Sequence, residues 1–476
     1  MQHNLTLLTD MYELTMVGGY VMSGKHTQKA NFDYFFRRIP DEGGYCVAAG
    51  LEQVIEYIKN IRFTAEDLAY LESLEVFPEK VLKYLEKFRF TGNLLAVPEG
   101  TVVFPYEPLI RVTAPLPEAQ FIESVLLNIM NFQTLIATKA ARVCTAAEGD
   151  PVIDFGLRRA HGPDAAVWAA RAAFIGGAQG TSNLLAGKLF NIPVRGTLAH
   201  SWVESFPSEL ESFNAYCQVY PKGPMLLVDT YDTLKSGVPN AIKIGKELRA
   251  QGKGDLKGIR LDSGDLAYLS KEARKMLDGE GFAEAKIFAS SDLDEWIIES
   301  IKKQGGRIDS WGVGTKLVTA YSTPALGGVY KLTAIEEKGR MEPKIKVSDN
   351  PEKVTNPGLK RVIRFFDDSD MMRGDVMFME DEILEDRPVR VYHSTVPHVS
   401  KVYSHKFSRQ ELLIPIFREG RLVCSKPSLK KIQENSQRNL KQLGCEFKRF
   451  KNPHIYHVSL SKQLIKTKRD LLKEAF

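Results

Sequence analysis

The sequence predicts an α/β fold: a central series of parallel β–α units flanked by α+β segments. Three observations carry that prediction. First, residues 224–317 repeat a short apolar run, a polar break and a helix-patterned segment. The runs are Met225-Leu226-Leu227-Val228, Gly258-Ile259-Arg260-Leu261, Lys286-Ile287-Phe288-Ala289 and Ser310-Trp311-Gly312-Val313. Apolar strands alternating with amphipathic helices build a parallel sheet. Second, Leu266, Leu269, Ala273, Met276 and Leu277 recur at helical spacing, so a helix covers the sheet there. Third, each run ends in small or acidic residues: Asp229-Thr230, Asp262-Ser263-Gly264-Asp265, Ser290-Ser291-Asp292 and Gly314-Thr315. Parallel strands gather such ends on one rim, where β/α enzymes keep their chemistry.

In chain order, Asp10 stands as N-cap of a first helix, with Glu13 three residues on as a capping-box partner. A strand at 30–36 follows, then helices at 51–60 and 78–88. Short strands at 94–97, 101–104 and 109–112 are punctuated by proline and glycine, as hairpins are. A long apolar helix is expected at 118–145. Residues 151–159 read as a strand with a polar end, 165–175 as an Ala-rich helix, and 192–201 as a strand that ends at His200. The β–α series therefore begins near residue 151. Beyond Gly327-Gly328, residues 329–348 read as an antiparallel hairpin, and further strands fall at 362–366 and 375–379. Pairing of these later strands with those at 94–112 would make a domain discontinuous in sequence. The expected division is 1–150, continued by 329–395, around 151–328, with 396–476 as a C-terminal basic appendage.

Composition fits a globular chain and excludes several classes. The net charge of +5 arises after residue 428, where 12 Lys+Arg stand against 4 Asp+Glu. Those bases lie on helical patterns, so solvated helix faces account for them better than a nucleic-acid site. The five cysteines are scattered, with no CxxC pair, which argues against zinc and against a disulfide framework. The first residues show no basic and apolar signal pattern, and no uninterrupted apolar run is of bilayer length; the reading is cytoplasmic. Walker, HExxH and GxSxG patterns are all missing from the sequence.

Among candidate chemical groups, His200 offers an imidazole that can act as nucleophile or base near neutral pH. A lone histidine is more often a satisfied core residue; its place on the rim with Asp229, Arg260 and Asp262 favours chemistry. Arg260 suits a phosphate or carboxylate, and Asp262 suits sugar hydroxyls or Mg²⁺. The alternative for 262–265 is a turn and a helix N-cap, a role that fits Asp265. Gly312-Val313-Gly314-Thr315 and Gly327-Gly328 resemble phosphate cradles, although ordinary turns use the same residues. Arg158-Arg159 could face an anion or solvent. These residues lead to a β/α enzyme acting on a phosphorylated sugar.

Five signatures in order go further: 9–16 (TDMYELTM), 154–159 (DFGLRR), 196–201 (GTLAHS), 260–265 (RLDSGD) and 312–315 (GVGT). Together they resemble the nicotinate phosphoribosyltransferases, nearly end to end. The resemblance implies an irregular β/α barrel with a split α+β domain, and a homodimer with shared active sites. It implies conversion of nicotinate and 5-phosphoribosyl 1-pyrophosphate into nicotinate mononucleotide and pyrophosphate, coupled to ATP hydrolysis and requiring Mg²⁺, in NAD salvage. By the same resemblance His200 is the phosphorylated histidine, Phe155 stacks on the pyridine ring, and Tyr12 of the partner subunit covers its other face. Thr197 and Arg260 match nicotinate-site positions, and Thr315, beside Gly314, a phosphoribosyl contact. Arg158, Asp229, Asp262, Gly327 and Gly328 follow by analogy with the related nicotinamide enzyme, as does Ser182, which stands where that enzyme carries an aspartate. The metal ligands are unknown. The rival readings are a quinolinate- or nicotinamide-type transferase and a non-catalytic regulator on the same scaffold.

Overall fold

The computed structural model describes residues 4–394 and 399–474. Residues 396–398 and 475–476 of the expected appendage thus lie outside the described residues. Two compact units result, one from residues 1–138 with 325–476, the other from 139–324.

The second unit carries the parallel sheet. Its order is Gly180–Thr181, Val152–Asp154, Ser310–Val313, Lys286–Ser291, Gly258–Leu261, Met225–Leu227, and every neighbouring pair is parallel. The strand centres are fully buried, as Ile259, Leu261, Ile287, Ala289, Trp311 and Val313 illustrate. Such two-sided burial explains why the runs are continuously apolar rather than alternating. Helices between strands start at side-chain caps: Asp265 accepts the Tyr268 N–H at 3.0 Å, and Asp294 accepts that of Ile297 at 2.8 Å. The cap reading of Asp265 is correct, and it leaves Asp262 for other work.

Residues 192–201 do not form the expected strand. Only Val194 bridges the sheet, parallel to Thr181, and His200 opens a short helix, His200–Glu204. Pro193 cannot donate to a ladder and Gly196 weakens one, so the segment crosses the rim as extended loop.

The first unit holds two larger sheets. A seven-stranded one runs Arg340–Pro343, Gly328–Glu337, Lys29–Phe36, Ile110–Pro115, Asn93–Ala96, Ile414–Arg418, Arg421–Leu422. The strand at 328–337 thus joins the sheet of the 94–112 segment, as the sequence suggested. Lys360–Phe366 and Met372–Met379 do not; they pair with each other in a six-stranded sheet. In that sheet Val458–Leu460 lies between Met372–Met379, to which it is parallel, and Val389–His393, to which it is antiparallel. The predicted capping box at Asp10 is not formed. Asp10 instead accepts the Ser124 hydroxyl at 2.8 Å, and buried Glu13 accepts Gln120 Nε2 at 2.7 Å. Tertiary partners outcompete the local bond. The expected helix at 118–145 begins at Leu116 and is interrupted at Ile122, giving Leu116–Phe121 and Glu123–Ala146. Residues 116–146 are long and apolar enough to cross a membrane by length and composition, but most of the segment is buried inside the protein.

Candidate active site

Parallel topology brings the strand ends of the second unit to one rim, and a chain of polar contacts connects them. Asp229 follows Met225–Leu227. Its Oδ2 accepts the Asp262 N–H at 2.8 Å and the Ser263 hydroxyl at 2.6 Å, and its Oδ1 lies 3.3 Å from His200 Nε2. The Asp229 side chain is only 2% exposed, against 39% for His200. A buried carboxylate anchored to the next strand therefore orients an imidazole whose other edge is open.

Arg260 is the second hub. Its Nε donates to Ser290 Oγ at 2.7 Å, and Nη1 to Thr197 Oγ1 at 3.0 Å. Its Nη2 donates to Asp262 Oδ1 at 2.7 Å. Ser290 also gives its hydroxyl to Asp262. Burial alone would raise the Asp262 pKa. The Ser290 bond, then the charge and bond of Arg260, then His200, outweigh it and hold the carboxyl below its ordinary value. Asp262 is thus an ionised acceptor throughout the physiological range.

Phe155, half-buried, forms the apolar wall. Its ring centroid is 5.4 Å from that of Phe288 at 42°, and the Arg260 guanidinium carbon lies 5.5 Å from it. Gly312 is glycine for this reason: a Cβ there would come within 2.7 Å of Phe288 and 2.9 Å of Phe155. Ring packing, rather than an anion, explains that residue of the supposed cradle. Gly314 occupies the N-cap position of the four-residue helix Thr315–Val318. Ser182 is half-buried beside the strand end Gly180–Thr181, and Arg158 is exposed in the turn Leu157–Arg159.

The remaining candidates belong to the first unit. Tyr12 is exposed on the first turn of Met11–Met22. Gly327 is exposed, whereas Gly328 opens a strand where a Cβ would collide with Asn131 Oδ1 at 1.9 Å. Packing alone accounts for Gly328 being glycine. Ser290, Ser263 and Phe288 were missed as site residues by sequence reading. The polar pair Ser290-Ser291 at a strand end was the available signal, but nothing local marks which hydroxyl faces a neighbouring arginine. No group of three or more potential metal-ligating side chains occurs among the described residues.

Comparison with known proteins identifies the family. Family models for nicotinate phosphoribosyltransferase match residues 7–131 (N-terminal domain), 151–393 (the family model) and 359–468 (C-terminal domain). The chain belongs to the nicotinate phosphoribosyltransferase family. It is 50% identical over 473 residues to the nicotinate phosphoribosyltransferase of Bacillus subtilis, covering 99% of this chain and 96% of that protein. Identity to the human enzyme is 30%, over 96% and 95% of the two chains. The crystal structure of human nicotinic acid phosphoribosyltransferase superposes with a TM-score of 0.86 at 28% identity, covering 97% and 99%. Family membership makes the chain an enzyme of NAD synthesis from the pyridine acid, which removes the regulator reading.

Proposed function

We propose that this protein transfers phosphoribosyl from 5-phosphoribosyl 1-pyrophosphate to nicotinate, releasing nicotinate mononucleotide and pyrophosphate, with ATP hydrolysis coupled through His200. The carrying observation is the linked rim His200–Asp229–Asp262–Arg260 in a chain that matches the family along nearly its full length. In the transfer, the bond from ribose C1 to the pyrophosphate oxygen breaks and the pyridine nitrogen bonds C1 with its own electron pair. The Phe155 ring offers a face for the pyridine, and Tyr12 of a partner subunit the opposite face. Arg260 and Thr197 suit the nicotinate carboxylate, with Ser182 as a neutral donor and Arg158 as an outer cation. Gly314 and Thr315 are the proposed phosphoribosyl contacts.

Mg²⁺ typically takes one or two carboxylates plus substrate phosphates. The ionised, half-exposed Asp262 fits that mode, and the metal's chemistry is to neutralise charge on the departing pyrophosphate. His200 donating Nε2–H to Asp229 leaves Nδ1 with its lone pair, so Nδ1 is the nucleophile toward the terminal phosphate of ATP. The P–O bond to ADP breaks as the P–N bond forms, and water later cleaves the phosphoimidazole. The homodimer is supported by the exposed Tyr12 ring and by exposed Leu184, Leu185 and Leu189 on one short helix. The scattered cysteines, with no CxxC pair, fit a reducing compartment such as the cytoplasm.

The test is product formation from nicotinate, nicotinamide and quinolinate separately, with and without ATP. Only nicotinate should give mononucleotide efficiently, and ATP should stimulate it. His200→Ala should abolish phosphoenzyme and ATP stimulation while leaving the thermal midpoint within about 2 °C. Nicotinate-linked ATP hydrolysis surviving in that variant would overturn the role of His200. Preference for another pyridine would overturn the substrate.

A further inference from the structure

Asp154 ends the strand Val152–Asp154 between Gly180–Thr181 and Ser310–Val313, and it is 3% exposed. Its Oδ1 accepts the Gly156 N–H at 2.8 Å, and its Oδ2 accepts the Thr181 hydroxyl at 2.8 Å. The Thr181 oxygen in turn accepts the Asn183 N–H at 3.0 Å. The Asp154 carbonyl accepts the Ser182 N–H at 2.9 Å, and the Phe155 N–H goes to the Val313 carbonyl at 2.9 Å. Gly156, just after Phe155, and Thr181, just before Ser182, therefore hang on one side chain.

We propose that Asp154 is a positioning residue of the nicotinate pocket, fixing the aromatic wall at Phe155 and the donor at Ser182 relative to one another. This rests on the nicotinate reading above. Neither residue can shift without breaking a bond to Asp154 or to the strand beside it. A carboxylate is the side chain that accepts from both donors at once; an asparagine takes the Gly156 N–H with its oxygen but turns an N–H₂ toward Thr181. Burial raises the Asp154 pKa above its ordinary value, only partly offset by those two bonds.

Steady-state kinetics of Asp154→Asn separates positioning from architecture. The expected result is a rise of about tenfold in the KM for nicotinate, with kcat and the KM for phosphoribosyl pyrophosphate within about twofold of wild type. The thermal midpoint should stay within about 4 °C of wild type. Thr181→Val, which removes only the hydroxyl donor, should raise the same KM, and the double variant should show less than the summed effect. If Asp154→Asn does not fold, Thr181→Val decides alone. An unchanged nicotinate KM in the folded variant, or a proportional fall in all parameters with a lowered midpoint, overturns the proposal. Wild-type protein that makes no nicotinate mononucleotide overturns the functional reading instead, and the proposal with it.

Discussion

Each unit contains an Arg–Asp pair, one across two neighbouring strands and one two residues apart in the chain, and the two pairs are built to opposite ends. In the first unit, Arg364 meets Asp375 bidentately, Nε to Oδ1 at 2.8 Å and Nη2 to Oδ2 at 2.6 Å, with both residues 0% exposed. Val102 O, Asn439 Oδ1 and the Tyr456 hydroxyl take up further capacity. The Tyr456 ring stacks on Phe104 at 3.7 Å. In the second unit, Arg260 reaches Asp262 by one bond, and the side chains keep 14% and 27% exposure. The first pair spends its hydrogen bonds on joining strands to a helix. The second is held by Ser290 and Thr197 at its back and faces solvent in front. Burial and denticity, not residue type, separate an ion pair that staples from one that is available to a ligand.

The largest effect that would test this contrast is on the staple. Arg364→Ala strands the Asp375 carboxylate in a dry core and should cost about 3–5 kcal/mol, read as a lower urea midpoint. A loss under about 1 kcal/mol would erase the distinction, because a rim pair loses that much too.

At the rim, Ser182→Asp should lower kcat/KM for nicotinate by about 10–100-fold, or 1.4–2.8 kcal/mol, through repulsion of the substrate carboxylate. The thermal midpoint should hardly move. Unchanged kcat/KM would shift the acid-selecting contact elsewhere on the rim.

The smallest effect belongs to Glu13, buried in the first unit, whose carboxyl is pushed up to about 7 by desolvation, opposed by its bond from Gln120. A raised carboxyl pKa means the folded chain holds a proton the unfolded chain has lost. Its contribution is therefore complete below the unfolded value and disappears as pH rises through about 7. Glu13→Gln should remove that decline, stabilising the protein at pH 8 by about 1–2 kcal/mol relative to wild type. Parallel pH–stability curves for the two proteins would mean that Glu13 titrates normally.

How far the sequence foretold all this depends on the range of the interaction. The runs at 225–228, 258–261, 286–289 and 310–313 are legible because burial on two faces leaves a continuous apolar signature. Asp265 is legible because a cap is a contact three residues long. Asp10 misled because a distant serine, Ser124, supplies its partner instead. His200 was correctly put on the rim but wrongly put on a strand, since Pro193 and Gly196 act on the ladder before the apolar pattern can. Ser290 bridging Arg260 and Asp262 is a cross-strand choice with no local trace. The pairing of Ile414–Arg418 with Asn93–Ala96 has none either, because more than three hundred residues intervene.

The strand Val458–Leu460 gives the six-stranded sheet a particular order of assembly. It is the element that links Met372–Met379 to Val389–His393, yet a ribosome makes it after every other strand of that sheet. Until it arrives, two edges with unpaired backbone groups face each other across a gap, and open edges recruit other chains. A nascent or prematurely stopped chain is thus marked by a sticky, unfinished sheet. Arrival of three residues, Val458, Ser459 and Leu460, closes it.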